Sequence, residues 1–223
     1  MGRTMKSRAN LLLGIAFASF ASTAFAEPAL SIYGGYQSVG RSSVSVTDGT
    51  HFNTDWEGKP FTMPPYWGVR GTWWIDDLQD GNFGVAIDFS HTKAYASART
   101  LSNKKLGWSH FEFSDGLNLA TANVFYRYRD PQHNWTPYIG VGIGADIPHV
   151  EVDRKSGSTR NYQLGGVSGQ LTVGFDYRLT EHFSAFSEYK LNYSRVDVDI
   201  DSGDRLTTNL MTHAINAGIT YHF

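Results

Sequence analysis

Pro137-Tyr138-Ile139-Gly140-Val141-Gly142-Ile143-Gly144-Ala145-Asp146-Ile147 is the stretch whose reading decides the fold. Ile139, Val141, Ile143 and Ile147 alternate with Gly140, Gly142, Gly144 and Asp146. A period of two belongs to a strand with one apolar face. Gly140, Gly142 and Ala145 also match the dinucleotide pattern G-x-G-x-x-A, but that pattern needs a strand, a turn and then a helix. Here the glycines alternate inside the strand and Pro148 follows, so they are read as room made for bulky neighbours across an interior.

The same alternation extends on both sides. Phe83, Val85, Ile87 and Phe89 alternate with Gly84, Ala86, Asp88 and Ser90, and Leu171, Val173, Phe175 and Tyr177 with Gln170, Thr172, Gly174 and Asp176. In all, eight such segments are expected, at 30–39, 62–75, 83–95, 118–129, 137–150, 163–178, 183–198 and 207–223. Each reaches the roughly 9–11 residues that a tilted strand needs to cross a bilayer. Short connections at 76–82, 130–135 and 179–182 alternate with longer polar ones at 41–61, 96–117 and 151–162, and 199–206 is intermediate. Short turns at one end and long loops at the other are the outer-membrane pattern, with the short turns periplasmic. The expected architecture is all-β, an eight-stranded antiparallel transmembrane β-barrel.

Composition agrees with a barrel. The 223 residues suit one domain, and aromatics reach 14% with 23 Gly and no Cys. Thiol chemistry and disulfides are thereby excluded. A net charge of -2 gives no footprint for nucleic acid. Mean hydropathy is -0.32, low for a membrane protein with helices but normal where every second strand residue faces a polar interior. The chain opens with Arg3, Lys6 and Arg8, an apolar run from Leu11 to Phe20, and Ala24-Phe25-Ala26. These features read as a signal peptide over 1–26, with the mature barrel over 27–223 beginning at Glu27. The closing Tyr221-His222-Phe223 resembles the terminal aromatic signal read by the outer-membrane barrel assembly machinery.

Strand parity sorts the faces. Arg70, Asn123, Arg127, Glu188, Lys190, Asn192 and Asn216 are expected inside. Arg70, Arg127 and Lys190 with Asp88, Asp146, Asp176 and Glu188 are read as a structural ion-pair network filling a lumen too narrow for a channel. At the expected extracellular rim, His91 ends the third segment, His110 and Glu112 precede the fourth, and His149 and Glu151 end the fifth. Imidazoles and carboxylates converging there suit a divalent metal, contact with lipid phosphates, general acid–base work, or plain polar decoration near headgroups. His213 near the top of the eighth segment is a further candidate.

Several runs are distinctive: Trp56 to Arg70, Asp88-Phe89-Ser90-His91-Thr92-Lys93, Glu112-Phe113-Ser114-Asp115-Gly116-Leu117-Asn118, Trp135 to Gly140, and Ile147-Pro148-His149-Val150-Glu151-Val152, followed by Glu188-Tyr189-Lys190 and Thr208-Asn209. Together, over nearly the whole mature chain, they resemble the lipid A oxidase family of outer-membrane barrels from rhizobia and their relatives. That resemblance implies oxidation of the proximal glucosamine of lipid A to 2-aminogluconate, with dioxygen as oxidant, hydrogen peroxide as by-product and a divalent cation such as manganese. In that picture His91, His149 and Glu151 are the metal ligands, Glu112 or Asp115 is the base, and Lys93 contacts a lipid phosphate. These roles come from the rim positions, not from the resemblance. The alternative is a non-catalytic OmpA-type structural or adhesive barrel of the outer membrane.

Overall fold

In the computed structural model, which describes residues 26–76, 78–103 and 106–223, every long element is a strand. The expected signal segment lies outside the described residues up to position 25. Eight strands close a barrel in the order β1 (Ala26–Val39), β5 (Trp67–Ile75), β6 (Phe83–His91), β9 (Leu119–Arg127), β10 (Trp135–Asp146), β13 (Gly166–Arg178), β14 (Phe183–Asp199) and β15 (Arg205–His222), with β1 paired back onto β15. All neighbours are antiparallel. Among the described residues no helix is long and apolar enough to cross a membrane.

The outward face is apolar where alternation predicted it. Val141 and Ile143 are 57% and 66% exposed, whereas Arg70, Asp88, Asn123, Glu188 and Lys190 are buried inside. The lumen is closed by charge. Arg70 donates to Asp88 Oδ2 at 2.8 Å and to both oxygens of Glu188 at 2.7 and 2.9 Å. Lys190 donates to both oxygens of Asp88 at 2.8 and 2.9 Å and also to the Tyr33 hydroxyl. Tyr33 donates to Asp88, while Tyr138 and Asn216 donate to Glu188. Three members of the expected network stand apart from it. Arg127 sits lower, donating to Glu27 at 2.8 Å and to the Gly81 carbonyl. Asp176 accepts from Ser184 at 2.6 Å, and both Asp146 carboxylate oxygens are buried without a hydrogen-bond partner. The reason is height along the barrel: parity sets the side a residue faces, whereas tilt and register set its layer.

The ends of the strands differ from the sequence reading in one consequential way. The second strand begins at Trp67, not at position 62, because Pro64 and Pro65 lack the N–H a ladder needs. More importantly, the long connections are not irregular loops. Segment 41–61 forms a hairpin of β2 (Ser42–Val46) and β3 (His51–Thr54) that extends the barrel sheet by pairing with β15. A second, five-stranded sheet rises beside it in the order β12 (Gly157–Tyr162), β11 (His149–Arg154), β8 (Trp108–Phe113), β7 (Ala94–Ala96) and β4 (Trp56–Glu57). A one-turn helix, α1 (Ala98–Leu101), is capped by Ser97, whose side chain accepts from the Thr100 N–H.

This crown has its own core. Trp56, Trp108, Phe111, Phe113, Val150 and Val152 from the second sheet pack with Val44, Val196, Val198, Leu206 and Leu210 from the extended barrel strands. Edge-on ring contacts tie it together, such as Trp56 to Phe111 at 5.0 Å and Trp108 to Phe111 at 5.2 Å. Trp56, Trp108 and Phe111, which fall in connections expected to be polar loops, are thus one side of an apolar core above the polar lumen.

The faces can be tested directly. Val141→Arg is expected to destabilise the barrel by about 2–4 kcal/mol, because it places a charge in lipid at mid-strand. Gly142→Asn should fail for the opposite reason. A Cβ there meets Asn123 Oδ1 at 2.0 Å and the Ala122 carbonyl at 2.8 Å, so any side chain crowds the interior. Urea titrations of folding into lipid vesicles measure both. Equal tolerance at the two positions refutes the assigned faces.

Candidate functional site

Alternation continues from the barrel into the crown. Outward residues of β10 are odd-numbered, and so are His149, Glu151 and Asp153 on β11, while Val150 and Val152 turn into the core. On β8, His110 and Glu112 face outward and Phe111 and Phe113 inward. A β-bulge where Trp108 meets Arg154 lets Trp108 and Phe111 both reach the core. Each strand therefore carries an H-x-E pair on one face, His110-x-Glu112 and His149-x-Glu151. Antiparallel pairing sets Glu112 opposite Glu151 and His110 opposite Asp153. The resulting patch continues the lipid-facing side of the barrel upward, above the ends of β9 and β10.

The distances are those of a donor cluster. His149 Nδ1 lies 3.1 Å from Glu151 Oε1 and 3.5 Å from Asp115 Oδ2. His110 Nε2 lies 3.4 Å from Glu112 Oε2 and 3.7 Å from Glu151 Oε2. Among the described residues two groups have donor atoms all within 4.8 Å of one another: His110, Glu112 and Glu151, and Asp115, His149 and Glu151. Ser114 donates to Glu151 Oε1 at 3.1 Å, and Arg160 Nε stands 3.6 Å from Glu151 Oε2. Tyr162 covers His149 with ring centroids 4.5 Å apart and donates to the Asp115 carbonyl at 3.0 Å. The field is negative. Burial first, and then the cluster carboxylates, push the Tyr95 and Tyr162 hydroxyls above the usual phenol value.

The expected site residues fall into place unevenly. His149 and Glu151 come together as ligand candidates, but His91 does not join them. Its ring stacks on Trp67 and its Nδ1 lies 2.9 Å from Asn118 Oδ1, so it is held behind segment 116–118 and outside both donor groups. Glu112 and Asp115, expected as bases, both stand among the donors. Lys93, expected to meet a lipid phosphate, is enclosed by the crown and donates to the Thr62 carbonyl at 2.6 Å. Burial and then neighbouring Lys59 lower its ammonium below the ordinary lysine value, with Glu112 opposing. Arg160 and Lys59 are exposed cations of the crown, Lys59 lying 4.4 Å above the Tyr95 ring. His213 is remote from the cluster in its contacts, meeting Tyr189 OH at 2.6 Å. His110, a rim candidate that the expected ligand set of His91, His149 and Glu151 left out, stands among the donors. The repeated H-x-E spacing was the signal for it, once both copies are placed on adjacent strands.

The family model for the outer membrane protein beta-barrel domain matches residues 9–223. No curated protein sequence matches the chain. Among solved structures, Neisserial surface protein A (NspA) is 15% identical, covering 90% of this chain and 98% of that one, with a TM-score of 0.47. The N-terminal β-barrel domain of Pseudomonas aeruginosa OprF is 12% identical over 89% and 99%, with a TM-score of 0.42. Ail, the attachment invasion locus protein of Yersinia pestis, is 14% identical over 89% and 99%, with a TM-score of 0.39. At these identities the likeness goes no further than the fold.

Proposed function

Because the chain belongs to the outer membrane protein β-barrel family and so resides in the bacterial outer membrane, we propose that its crown is the working part and that it acts on lipid A, oxidising the proximal glucosamine to 2-aminogluconate. The observation that carries this reading is the imidazole–carboxylate cluster on the outward face of β8 and β11, directly above the lipid-facing strands β9 and β10. Lipid A occupies the outer leaflet, so its headgroup meets a barrel laterally at that height. The substrate identity rests on the resemblance of the sequence runs to lipid A oxidases. Assembly through the barrel machinery, read from Phe223, belongs to the same proposal.

The residues fit a divalent cation. Mixed nitrogen and oxygen donors suit manganese or iron, both of which can change oxidation state, and two largely enclosed carboxylates facing each other call for positive charge between them. His149, Glu151 and Asp115 would hold the ion, which when bound supplies the electron-transfer capacity toward dioxygen that no side chain has. The overall step removes the anomeric C–H hydrogen and the hydroxyl proton, forming a lactone, while dioxygen takes two electrons and two protons to become hydrogen peroxide; water then opens the lactone to 2-aminogluconate, so the disaccharide gains one oxygen atom in all. Asp115, the most exposed of the cluster carboxylates at 53%, is placed to accept the hydroxyl proton. Tyr162 shields His149 from water, and Arg160 and Lys59 offer positive charge to the lipid phosphates.

A second reading keeps the barrel non-catalytic, as an OmpA-type structural or adhesive protein. The closed apolar core of the crown favours it, since a rigid dome is suited to presenting a surface. Family membership by itself asks for no more than this. Mass spectrometry of lipid A from cells with and without the protein separates the two. A gain of one oxygen atom on the disaccharide, abolished by chelator and restored by manganese, is the expected result. Unchanged lipid A with altered adhesion or envelope integrity selects the second reading.

A further inference from the structure

His110 and His149 flank the Glu112–Glu151 pair from opposite ends. His110 faces Asp153 across the ladder, and Asp153 is four residues along β11 from His149. At ~3.3 Å per residue the two histidine backbones are about 13 Å apart along the strands, a long reach for one ion to span. Glu151 resolves the geometry by dividing its oxygens. Oε1 lies 3.1 Å from His149 Nδ1, and Oε2 lies 3.7 Å from His110 Nε2. The two donor groups thus share one carboxylate and part at its two oxygens.

The charge balance points the same way. Glu112 and Glu151 are directly opposed, and their side chains are only 17% and 15% exposed. Like charges facing across a ladder repel, more so when shielded from water. Arg160 is the cation in ion-pair range of Glu151, yet its closest contact is Asp153 at 2.7 Å, against 3.6 Å to Glu151. One ion between His149 and Asp115 leaves Glu112 facing the His110 imidazole at 3.4 Å and, electrostatically, the Lys93 ammonium, with no cation between it and Glu151.

We propose that the cluster is a two-ion centre in which Glu151 bridges a divalent cation held by His149 and Asp115 and a second one held by His110 and Glu112. This rests on the metal reading of the same site and extends it from one ion to two. Asp115 retains a second carboxylate oxygen for the proton. A bridged pair of ions also suits an oxidant that must take two electrons.

The test loads the refolded full-length barrel with Mn(II), removes free ion by gel filtration, and measures manganese per chain by mass spectrometry. Two ions per chain are expected, with an electron paramagnetic resonance signal showing coupling between them. His110→Ala and His149→Ala should each retain one ion and lose the coupling, and Glu151→Gln should retain fewer than one. Heat-modifiable migration on gels confirms that each variant is folded, and Glu112→Gln replaces His110→Ala if the latter is not. One uncoupled ion in the unaltered protein, or two ions retained by His110→Ala, overturns the proposal. The failures are separable: two coupled ions with unchanged lipid A remove the oxidase and keep the centre, whereas oxidised lipid A with one ion per chain does the reverse.

Discussion

Glu188→Ala is expected to cost the barrel about 3–5 kcal/mol, the penalty for stranding a buried charge whose partner has been removed. Glu188 accepts two hydrogen bonds from Arg70, one from Tyr138 and one from Asn216. Removing it leaves an Arg70 guanidinium that is 5% exposed, pressed 4.9 Å from the Phe125 ring and with Asp88 as its remaining carboxylate. Asp88 already serves Lys190 and Tyr33, so it cannot take up the lost contacts. Glu188→Gln should cost less, because an amide oxygen can still accept while the charge is lost. Arg127→Ala makes the contrast. Its partner Glu27 keeps Arg129 at 2.6 Å near the periplasmic mouth, so the loss should be well under that of Glu188→Ala. Equilibrium unfolding in vesicles gives the ranking, and a larger loss for Arg127→Ala than for Glu188→Ala refutes the central role of the Arg70–Asp88–Glu188–Lys190 network.

His149→Ala is expected to lower lipid A oxidation by on the order of 100-fold or more while the barrel stays folded. Changes that merely loosen a ligand cost about 10–100-fold, and loss of a ligand lies at or above the upper end. The His149 backbone N–H donates to the Gly116 carbonyl, a bond that alanine keeps, and the ring contact with Tyr162 is one that a crown of paired strands can spare. His91→Ala is the informative partner. Its ring belongs to the packing between Trp67 and Asn118, and it stands outside the donor groups. It should therefore retain its manganese, whatever it loses in stability. Metal content read beside lipid A mass distinguishes the two variants. Full activity in His149→Ala, or full activity after thorough chelation, removes the metal from the reaction.

The barrel was legible because its constraint is local. A strand whose one face meets lipid and whose other meets a polar interior must alternate, so segments such as 83–90 and 137–147 declare their faces in the primary structure. Parity likewise predicted that Arg70, Glu188 and Lys190 point inward, and all three are buried. The two H-x-E pairs were equally visible, each placing an imidazole and a carboxylate on one face of an extended segment.

Which of those residues meet was decided by pairing across the chain. Register put Arg127 and Asp176 in a lower layer than Arg70, and tied His91 to Asn118 instead of to His149. The crown was hidden for a related reason. Its strands are short, some of only two or three residues, and Trp56, Ala94 and Phe111 become a core only when β4, β7 and β8 lie side by side. The same packing encloses Lys93, a long charged side chain that by type alone belongs at the surface. Periodicity in one strand determines which way a side chain faces. The identity of its neighbours depends on contacts between segments tens of residues apart, which form only when the sheet closes.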